Sequence, residues 1–98
     1  MDIRVGKVVE AEKVAGAKKL VKVLVDIGEA EPRQLVAGIA EYVNPESLRG
    51  KNVVVLTNLE PKKFMGLESR GMLLAADVNG KPALLTVEGD VPPGTRVR

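Results

Sequence analysis

The 98-residue chain contains no cysteine, no histidine and no tryptophan, and it has one phenylalanine and one tyrosine. Without cysteine there is no disulfide framework, thiolate nucleophile or zinc–thiolate site. Without histidine there is no imidazole base, catalytic triad or histidine-ligated metal. So few aromatic rings argue against a protein that stacks several bases of a single strand. We therefore expect a non-catalytic domain with no metal site and no cofactor.

Long hydrophobic runs are also missing. The longest, Val53–Leu56 and Met72–Ala76, fall far short of the roughly 20 residues that span a bilayer. Met1 leads straight into the patterned sequence from Ile3, so we expect no signal or transit peptide. A hydrophobic share of 45% favours a globular fold over disorder. We expect a single domain over residues 1–98, located in the cytosol and with no membrane partner.

Charge is sorted along the chain although its sum, +2, is small. The segment from Lys13 to Lys22 carries four lysines and no acid. A looser second basic set is formed by Arg49, Lys51, Lys62, Lys63 and Arg70. The acids gather elsewhere, as in Asp26–Glu31 and Glu88–Asp90. This sorting predicts a face of positive sign.

Alternating apolar residues between turn residues predict five short strands. They are Ile3–Ala11, Leu20–Ile27, Gln34–Ile39, Asn52–Thr57 and Gly71–Val78. In the first strand Val5, Val9 and Ala11 are predicted to share one face, and Gly6 indicates a bend or bulge. In the second, the odd-numbered residues from Val21 to Ile27 form the apolar face.

Turn and capping signals complete the secondary structure. Asn44 can cap one short helix that starts at Pro45 and stops at Gly50. Asn79-Gly80 is typical of a type I′ turn, here leading into a strand at Pro82–Val87. A last short strand is predicted at Thr95–Val97.

Five strands with a helix between the third and fourth is the order of an OB-fold barrel. We predict an all-β protein: a five-stranded OB-fold barrel over about residues 2–78, with a C-terminal hairpin and strand extension over about 79–98. Such barrels bind ligands with strands 2–3 and the 1–2 and 4–5 loops. Those loops would be Lys13–Lys19 and Asn58–Arg70, so the fold and the charge map point to the same surface.

The lysines of the first loop have two interpretations. Lys13, Lys18, Lys19 and Lys22 could form an ordinary solvated turn, or they could contact phosphates from a protruding loop. The local sequence alone leaves both open.

The second loop is more informative. Pro61 and Gly66 indicate irregular backbone, so Phe64 and Leu67 are expected to anchor the loop on the rim of the barrel. Met65 is a candidate for a surface contact, because methionine suits adaptable interfaces.

Short polar residues lie at both ends of this loop. Asn58 and Ser69 could donate or accept hydrogen bonds to a phosphate, a 2′-hydroxyl or a base edge. Gly71 would let a ligand or a neighbouring backbone come close.

Two further features bear on function and assembly. Glu10 and Glu12 face the same way on a strand, but the sequence supplies no nucleophile or metal partner, which argues against acid–base catalysis. Leu20, Leu24 and Val36 exceed what a small barrel can bury, which favours an interface and most simply a two-fold homodimer.

Taken together, these segments resemble the tRNA-binding domain family. That family includes appended C-terminal domains of methionyl-tRNA synthetases, free-standing dimeric tRNA-binding proteins and the export-related chaperone CsaA. The likeness covers essentially the whole chain. It is carried by Asp2-Ile3-Arg4-Val5-Gly6-Lys7, Ala17-Lys18-Lys19-Leu20, Val25-Asp26-Ile27-Gly28, Val36-Ala37-Gly38-Ile39, Asn58-Leu59-Glu60-Pro61-Lys62-Lys63-Phe64-Met65-Gly66 and Ser69-Arg70-Gly71-Met72.

The resemblance implies an OB-fold, a homodimer and non-catalytic binding of tRNA by shape. The residues that match the family's signature are Asn58, Lys63, Ser69, Gly71 and Met72, while Lys62 and Arg70 lie where the family varies. Val14-Ala15 stands where many members carry His-Pro, and Lys18 stands where many carry an acid. Many members also have a short helix before the first strand, and this sequence does not show one. We therefore expect the domain to be excised from, or fused to, a larger protein.

The leading hypothesis is therefore a tRNA-binding module that belongs to, or associates with, an aminoacyl-tRNA synthetase, most simply a methionyl-tRNA synthetase. The expected contacts come from Lys18, Lys19, Lys22, Asn58, Lys62, Lys63, Met65, Ser69, Arg70, Gly71 and Met72. The alternatives are a CsaA-like peptide-binding chaperone and a module that only dimerises its parent enzyme.

Overall fold

The computed structural model describes residues 1–98 as antiparallel strands around one barrel. The strands are β1 (Ile3–Lys13), β2 (Val21–Asp26), β3 (Arg33–Ala37), β4 (Asn52–Leu56), β5 (Lys62–Phe64), β6 (Leu67–Ser69), β7 (Met72–Leu73), β8 (Ala75–Val78) and β9 (Lys81–Leu84). The main sheet has the order β3-β2-β1-β4-β7. Because β3 and β7 at its two ends contact each other, the sheet closes almost completely. The predicted all-β, OB-like barrel is confirmed.

The core of the barrel is built from β-branched residues on alternate positions of β2. Val21, Val23 and Val25 are completely buried, as their alternation predicts, and Val8 and Val55 pack against them. Burying a side chain of this size contributes about 1.5–3 kcal/mol relative to leaving it exposed. The valine-rich strands therefore contribute much of the hydrophobic stabilisation of the barrel.

A bulge in β1 changes which residues face the core. The register between β1 and β2 shifts between Val8 and Glu10, which leaves Val9 outside the pairing and 42% exposed. The predicted grouping of Val9 with Val5 and Ala11 is thus wrong beyond the bulge, because an extra residue inverts the alternation.

The short helix α1 (Pro45–Leu48) begins as predicted. The Asn44 side chain accepts a hydrogen bond from the Glu46 amide at 3.1 Å, and Pro45 occupies the first turn. Leu48 is buried and fixes the helix against the barrel. No helix of the protein has the length or the apolar character to cross a membrane.

The predicted fifth strand, Gly71–Val78, is two strands. β7 pairs with β4, whereas β8 pairs with β9 in a separate hairpin, and Leu74 lies at the division. The type I′ turn is confirmed, since Asn79 and Gly80 have φ of 53° and 84°. Its second strand, β9, is shorter than the predicted Pro82–Val87.

The C-terminal segment joins the sheet beside β1. The predicted strand Thr95–Val97 is reduced to one bridge, Arg4 to Arg96, with backbone hydrogen bonds from Val5 to Thr95 and from Val97 to Ile3 of 2.8 Å each. It thereby occupies an edge of β1 that β2 leaves free, which protects that edge from other strands.

Asp2 ties the two ends of the chain together. Its carboxylate accepts a hydrogen bond from Arg4 Nε at 3.1 Å and lies 3.6 Å from Arg96 Nε. Partial burial tends to raise the pKa of Asp2, but the hydrogen bonds from Arg4 and Thr57 and the two arginine charges outweigh it and hold the pKa below its usual value.

The lowered pKa predicts an acid-sensitive contribution to stability. A carboxylate with a depressed pKa in the folded state stabilises the fold above its unfolded pKa, near 4, and loses this effect as the pH falls through the folded pKa. We expect Asp2→Asn to be less stable than the parent at pH 7 and to converge with it near pH 2, as measured by urea unfolding. Glu31→Gln, an exposed carboxylate without an ion pair, is the control and should show no such convergence.

Candidate nucleic-acid interface

The segment between β4 and β7 forms a regular hairpin, β5–β6. Its turn consists of Met65 and Gly66, whose φ values of 52° and 81° are those of a two-residue type I′ turn. The prediction of irregular backbone was wrong, because Gly66 occupies the turn and Pro61 precedes the first strand, so neither interrupts the pairing.

Register divides the side chains of this hairpin between two faces. Lys62 pairs with Ser69 and Phe64 with Leu67 on one face, while Lys63 pairs with Glu68 on the other. Lys62 and Lys63 therefore point in opposite directions. Phe64 is 38% exposed, so it packs on the rim of the barrel less completely than predicted. Leu67 is the more buried of the two.

Ser69 attaches the hairpin to the edge of β3. Its hydroxyl accepts a hydrogen bond from the Val36 amide at 2.9 Å and lies 3.2 Å from the Gly71 carbonyl oxygen, to which it donates. Ser69 is only 5% exposed. Gln34 adds two hydrogen bonds. Its side-chain Nε2 donates to the Glu68 carbonyl oxygen at 2.8 Å, and its backbone carbonyl accepts from the Arg70 amide at 2.9 Å. The geometry gives Ser69 a positioning role inside the protein.

Replacing Ser69 with alanine should loosen this attachment. The Val36 amide would lose its partner in a buried place, which costs about 1–3 kcal/mol. We expect Ser69→Ala to lower the free energy of unfolding by that amount in urea titrations. Ser47→Ala removes an exposed hydroxyl that bonds only to Asn44 O and should change it by less than about 0.5 kcal/mol. Equal effects of the two variants would contradict the assignment.

The tip of the hairpin reaches the 1–2 loop. A Cβ placed on Gly16 would lie 4.0 Å from Met65 Cε, so the end of the methionine side chain lies close to this turn of the loop. Met65 is 65% exposed. This proximity shows that the Lys18-Lys19 loop and the hairpin that carries Lys62 and Lys63 lie at the same end of the barrel.

The cations of this region fall into two groups. Lys22 Nζ lies 2.8 Å from Glu12 Oε1, and Arg70 Nε lies 3.9 Å from Glu68 Oε1, so both are paired within the chain. The other four cations among the predicted contact residues form no ion pair: Lys18, Lys19, Lys62 and Lys63. We call them the free loop lysines. An anion would not have to displace a carboxylate from any of them.

Asn58 and Gly71 have internal contacts. Asn58 Oδ1 accepts a hydrogen bond from the Asp2 amide at 2.8 Å, which connects the start of the chain to this region. Gly71 has φ of 151°, and a Cβ there would lie 2.9 Å from Leu35 Cδ2 and 3.0 Å from the Leu56 carbonyl oxygen. The close approach that Gly71 permits is thus to the protein's own backbone.

An apolar groove of about 400 Å³ opens beside the hairpin. Its walls come from the end of β3, from the hairpin and from the β8–β9 hairpin. The residues that line it include Gly38, Glu60, Lys62, Phe64, Met72 and Pro82. Met72 is 52% exposed, so its side chain is accessible at the groove.

Sequence reasoning missed this groove and the part that Glu60 and Pro82 play in it. The alternation of Lys62 and Phe64 before Met65-Gly66 could have predicted a hairpin with both side chains on one face. The remaining wall could not be predicted, since β8–β9 folds back from the far end of the chain. No three acidic side chains gather into a group that could hold a metal ion.

Comparison with known proteins agrees with this geometry. The family model described as "Putative tRNA binding domain" matches residues 3–96. Methionine–tRNA ligases of Archaeoglobus fulgidus and Thermotoga maritima are 62% and 53% identical over 99% of this chain. The chain spans only 15% of the length of either relative.

Solved structures give the same result. A MetRS-related protein from Pyrococcus horikoshii matches 99% of this chain and 89% of its own, with a TM-score of 0.92 and 47% identity. The chaperone CsaA of Bacillus anthracis matches 99% of this chain and 90% of its own, with a TM-score of 0.87 and 31% identity. With a family match over nearly its whole length and relatives of this similarity, the chain belongs to the tRNA-binding domain family.

Proposed function

We propose that this chain is a non-catalytic tRNA-binding module, the C-terminal domain of a methionyl-tRNA synthetase in the cytosol. Its task is to raise the affinity of the enzyme for tRNA. The observation that supports this most is the set of free loop lysines, which two separate loops present at one end of the barrel. Identity of 50–62% to segments of methionine–tRNA ligases supports the choice of parent enzyme.

In this proposal the ligand is held by its backbone. Lysines on exposed loops can bind phosphates without a fixed geometry. Contacts to phosphates do not distinguish one base sequence from another. Met65 and Met72 are exposed and contact sugar or base, and the exposed Asn58 is a further polar contact. Lys22 and Arg70 contribute less, because each already has a carboxylate partner.

Two double variants test the two loops separately. Lys18→Ala/Lys19→Ala and Lys62→Ala/Lys63→Ala should each weaken tRNA binding, by about 2 kcal/mol or roughly 30-fold at low salt if each exposed ion pair is worth about 1 kcal/mol. The loss should be equal for initiator, elongator and non-cognate tRNAs, since phosphates are common to all. Fluorescence anisotropy with labelled tRNA measures it.

The matched control is Lys7→Ala/Lys51→Ala. It removes the same charge from lysines that belong to neither loop and that also have no ion pair. If this control weakens binding as much as the loop variants, only net charge matters and the proposed surface is wrong.

We also propose that the domain forms a homodimer. Several large apolar side chains of the last third are exposed, among them Val78 and Leu85, which are 54% and 42% accessible. A second apolar groove, lined in part by Val43, Leu48 and Leu85, lies on this side of the barrel. Burying such surface against a second copy would stabilise a two-fold dimer. Light scattering after size exclusion gives the mass directly.

A second candidate function is peptide binding of the CsaA type. It is favoured by the groove beside the hairpin and by the likeness to CsaA structures of Bacillus anthracis and Picrophilus torridus. Peptide binding in an apolar groove should depend little on salt and should show a negative heat-capacity change. Calorimetry with an apolar peptide separates it from the salt-dependent binding expected for tRNA.

A further inference from the structure

We propose that the groove beside the β5–β6 hairpin is a pocket for one unstacked nucleobase of the bound RNA, with a preference for guanine. This inference rests on the tRNA-binding function proposed above and adds one base contact to a surface that otherwise holds only the backbone. The groove's volume of about 400 Å³ lies within the range of small-ligand sites, about 300–1,000 Å³.

The hairpin face supplies the first two requirements of such a pocket. Lys62 and Phe64 alternate along β5, so both side chains line the same groove. An aromatic ring gives a base a surface for stacking, and a cation two residues away can hold the phosphate attached to the same nucleotide. The side chain of Lys62 has no carboxylate partner to release first.

The position of the hairpin is fixed before any ligand arrives. The Ser69 hydroxyl accepts a hydrogen bond from the Val36 amide of β3, and the Gln34 side chain of β3 donates one to the Glu68 carbonyl oxygen. Phe64 is therefore held beside the groove although it is 38% exposed. Holding an exposed ring in place reduces the entropic cost of binding a base.

Charge identifies the occupant. An apolar groove alone would also accept a hydrophobic peptide or a second copy of the chain. Here the free loop lysines lie on the hairpin and on the adjacent loop, so an anionic ligand with one apolar, planar part complements the site best. A nucleotide within an RNA strand has both properties.

Glu60 supplies the selectivity. Glu60 is the one acidic residue that lines the groove, and an ionised carboxylate can only accept hydrogen bonds. Guanine presents two adjacent N–H donors, N1–H and N2–H, on its Watson–Crick edge, which match a carboxylate in a bidentate arrangement. Adenine, cytosine and uracil each place an acceptor next to their donor and would meet repulsion there.

The test uses the full 98-residue chain and labelled uridine hexanucleotides with one central guanine, inosine, adenine or cytosine. We expect the guanine hexamer to bind about tenfold more tightly than those with adenine or cytosine, the lower part of the range for a bidentate contact. Inosine keeps N1–H but lacks the 2-amino group, so it should lie between them.

Variants separate the hydrogen bonds to Glu60 from the stacking on Phe64. Glu60→Gln should bring all four hexamers within about twofold of one another. Glu68→Gln makes the same charge change on the opposite face of the hairpin and should leave the base preference intact. Phe64→Leu should weaken every hexamer about tenfold through lost stacking, whereas Phe64→Tyr should restore binding.

The outcomes distinguish this proposal from the one on which it rests. If the lysine variants lose tRNA binding but Glu60→Gln and Phe64→Leu bind the hexamers as the parent does, the base pocket is wrong and the tRNA module stands. If the parent chain binds no RNA, both are wrong. If an apolar octapeptide binds and Phe64→Leu abolishes only that binding, the groove is a peptide site and the base pocket is again wrong.

Discussion

Replacing all four free loop lysines with alanine is expected to reduce tRNA affinity by about 4 kcal/mol, roughly a thousandfold at low salt. The expectation follows from additivity, since lysines on two loops that contact different phosphates should lose their contributions independently. The structure places Lys18 and Lys19 on the 1–2 loop and Lys62 and Lys63 on β5 of the hairpin, whose Met65 lies close to Gly16 of that loop. Anisotropy titrations of the two double variants and the quadruple variant provide the comparison.

Additivity is the informative part of this result. If the quadruple variant is no weaker than either double variant, the two pairs of lysines do not contribute independently, and the expectation of additive losses is wrong. The fold itself should survive the changes, because none of these lysines is paired or belongs to the buried core. An unchanged urea midpoint confirms that a loss of affinity is not a loss of structure.

Gly6→Val should be the most destabilising single substitution in the barrel. A Cβ on Gly6 would overlap Val25 Cγ1 and would lie 3.1 Å from Ile27 Cγ2 and 3.4 Å from Val55 Cγ2. These neighbours are buried and branched, so they have little freedom to move aside. Overpacking of this kind costs about 3 kcal/mol, which lowers the melting temperature of a domain this size by about 10–20 °C.

Gly38→Ala is the matched control for this prediction. A Cβ at Gly38 would meet nothing within 4 Å, so the change should shift the free energy of unfolding by no more than about 0.5 kcal/mol. If Gly6→Val and Gly38→Ala unfold at the same urea concentration, the barrel does not close as tightly at Gly6 as the structure indicates.

The barrel was predictable where one physical rule decides the outcome. The alternation in β2 required the odd-numbered valines to be buried, and Asn79-Gly80 required a type I′ turn. Asn44 and Pro45 similarly marked the start of α1. In each case the signal lies within a few consecutive residues, and no distant part of the chain opposes it.

Other features depend on distant parts of the chain. Val9 leaves the core face because β1 bulges against β2, and strand propensity gives no signal for that. The predicted fifth strand divides at Leu74. The Leu74 amide still donates a hydrogen bond to Val54 O of β4, but its carbonyl accepts one from the Leu85 amide, and beyond it the chain pairs with β9.

The candidate site shows the same division. The sequence identified the basic residues of both loops, but it could not show that Lys22 and Arg70 are paired with carboxylates. It treated Ser69 as a ligand contact, whereas burial against Val36 gives its hydroxyl an internal role. Side-chain pairing of this kind is decided by the packing of strands that lie far apart in sequence.

The most direct test of the central claim is the salt dependence of tRNA binding by the unaltered chain. If the four free loop lysines each neutralise one phosphate, the slope of log K against log salt concentration should lie between about −2.8 and −3.6, at roughly −0.7 to −0.9 per phosphate. A slope near zero, with binding retained, would contradict the account, because it would show that the ligand is not held through its phosphates.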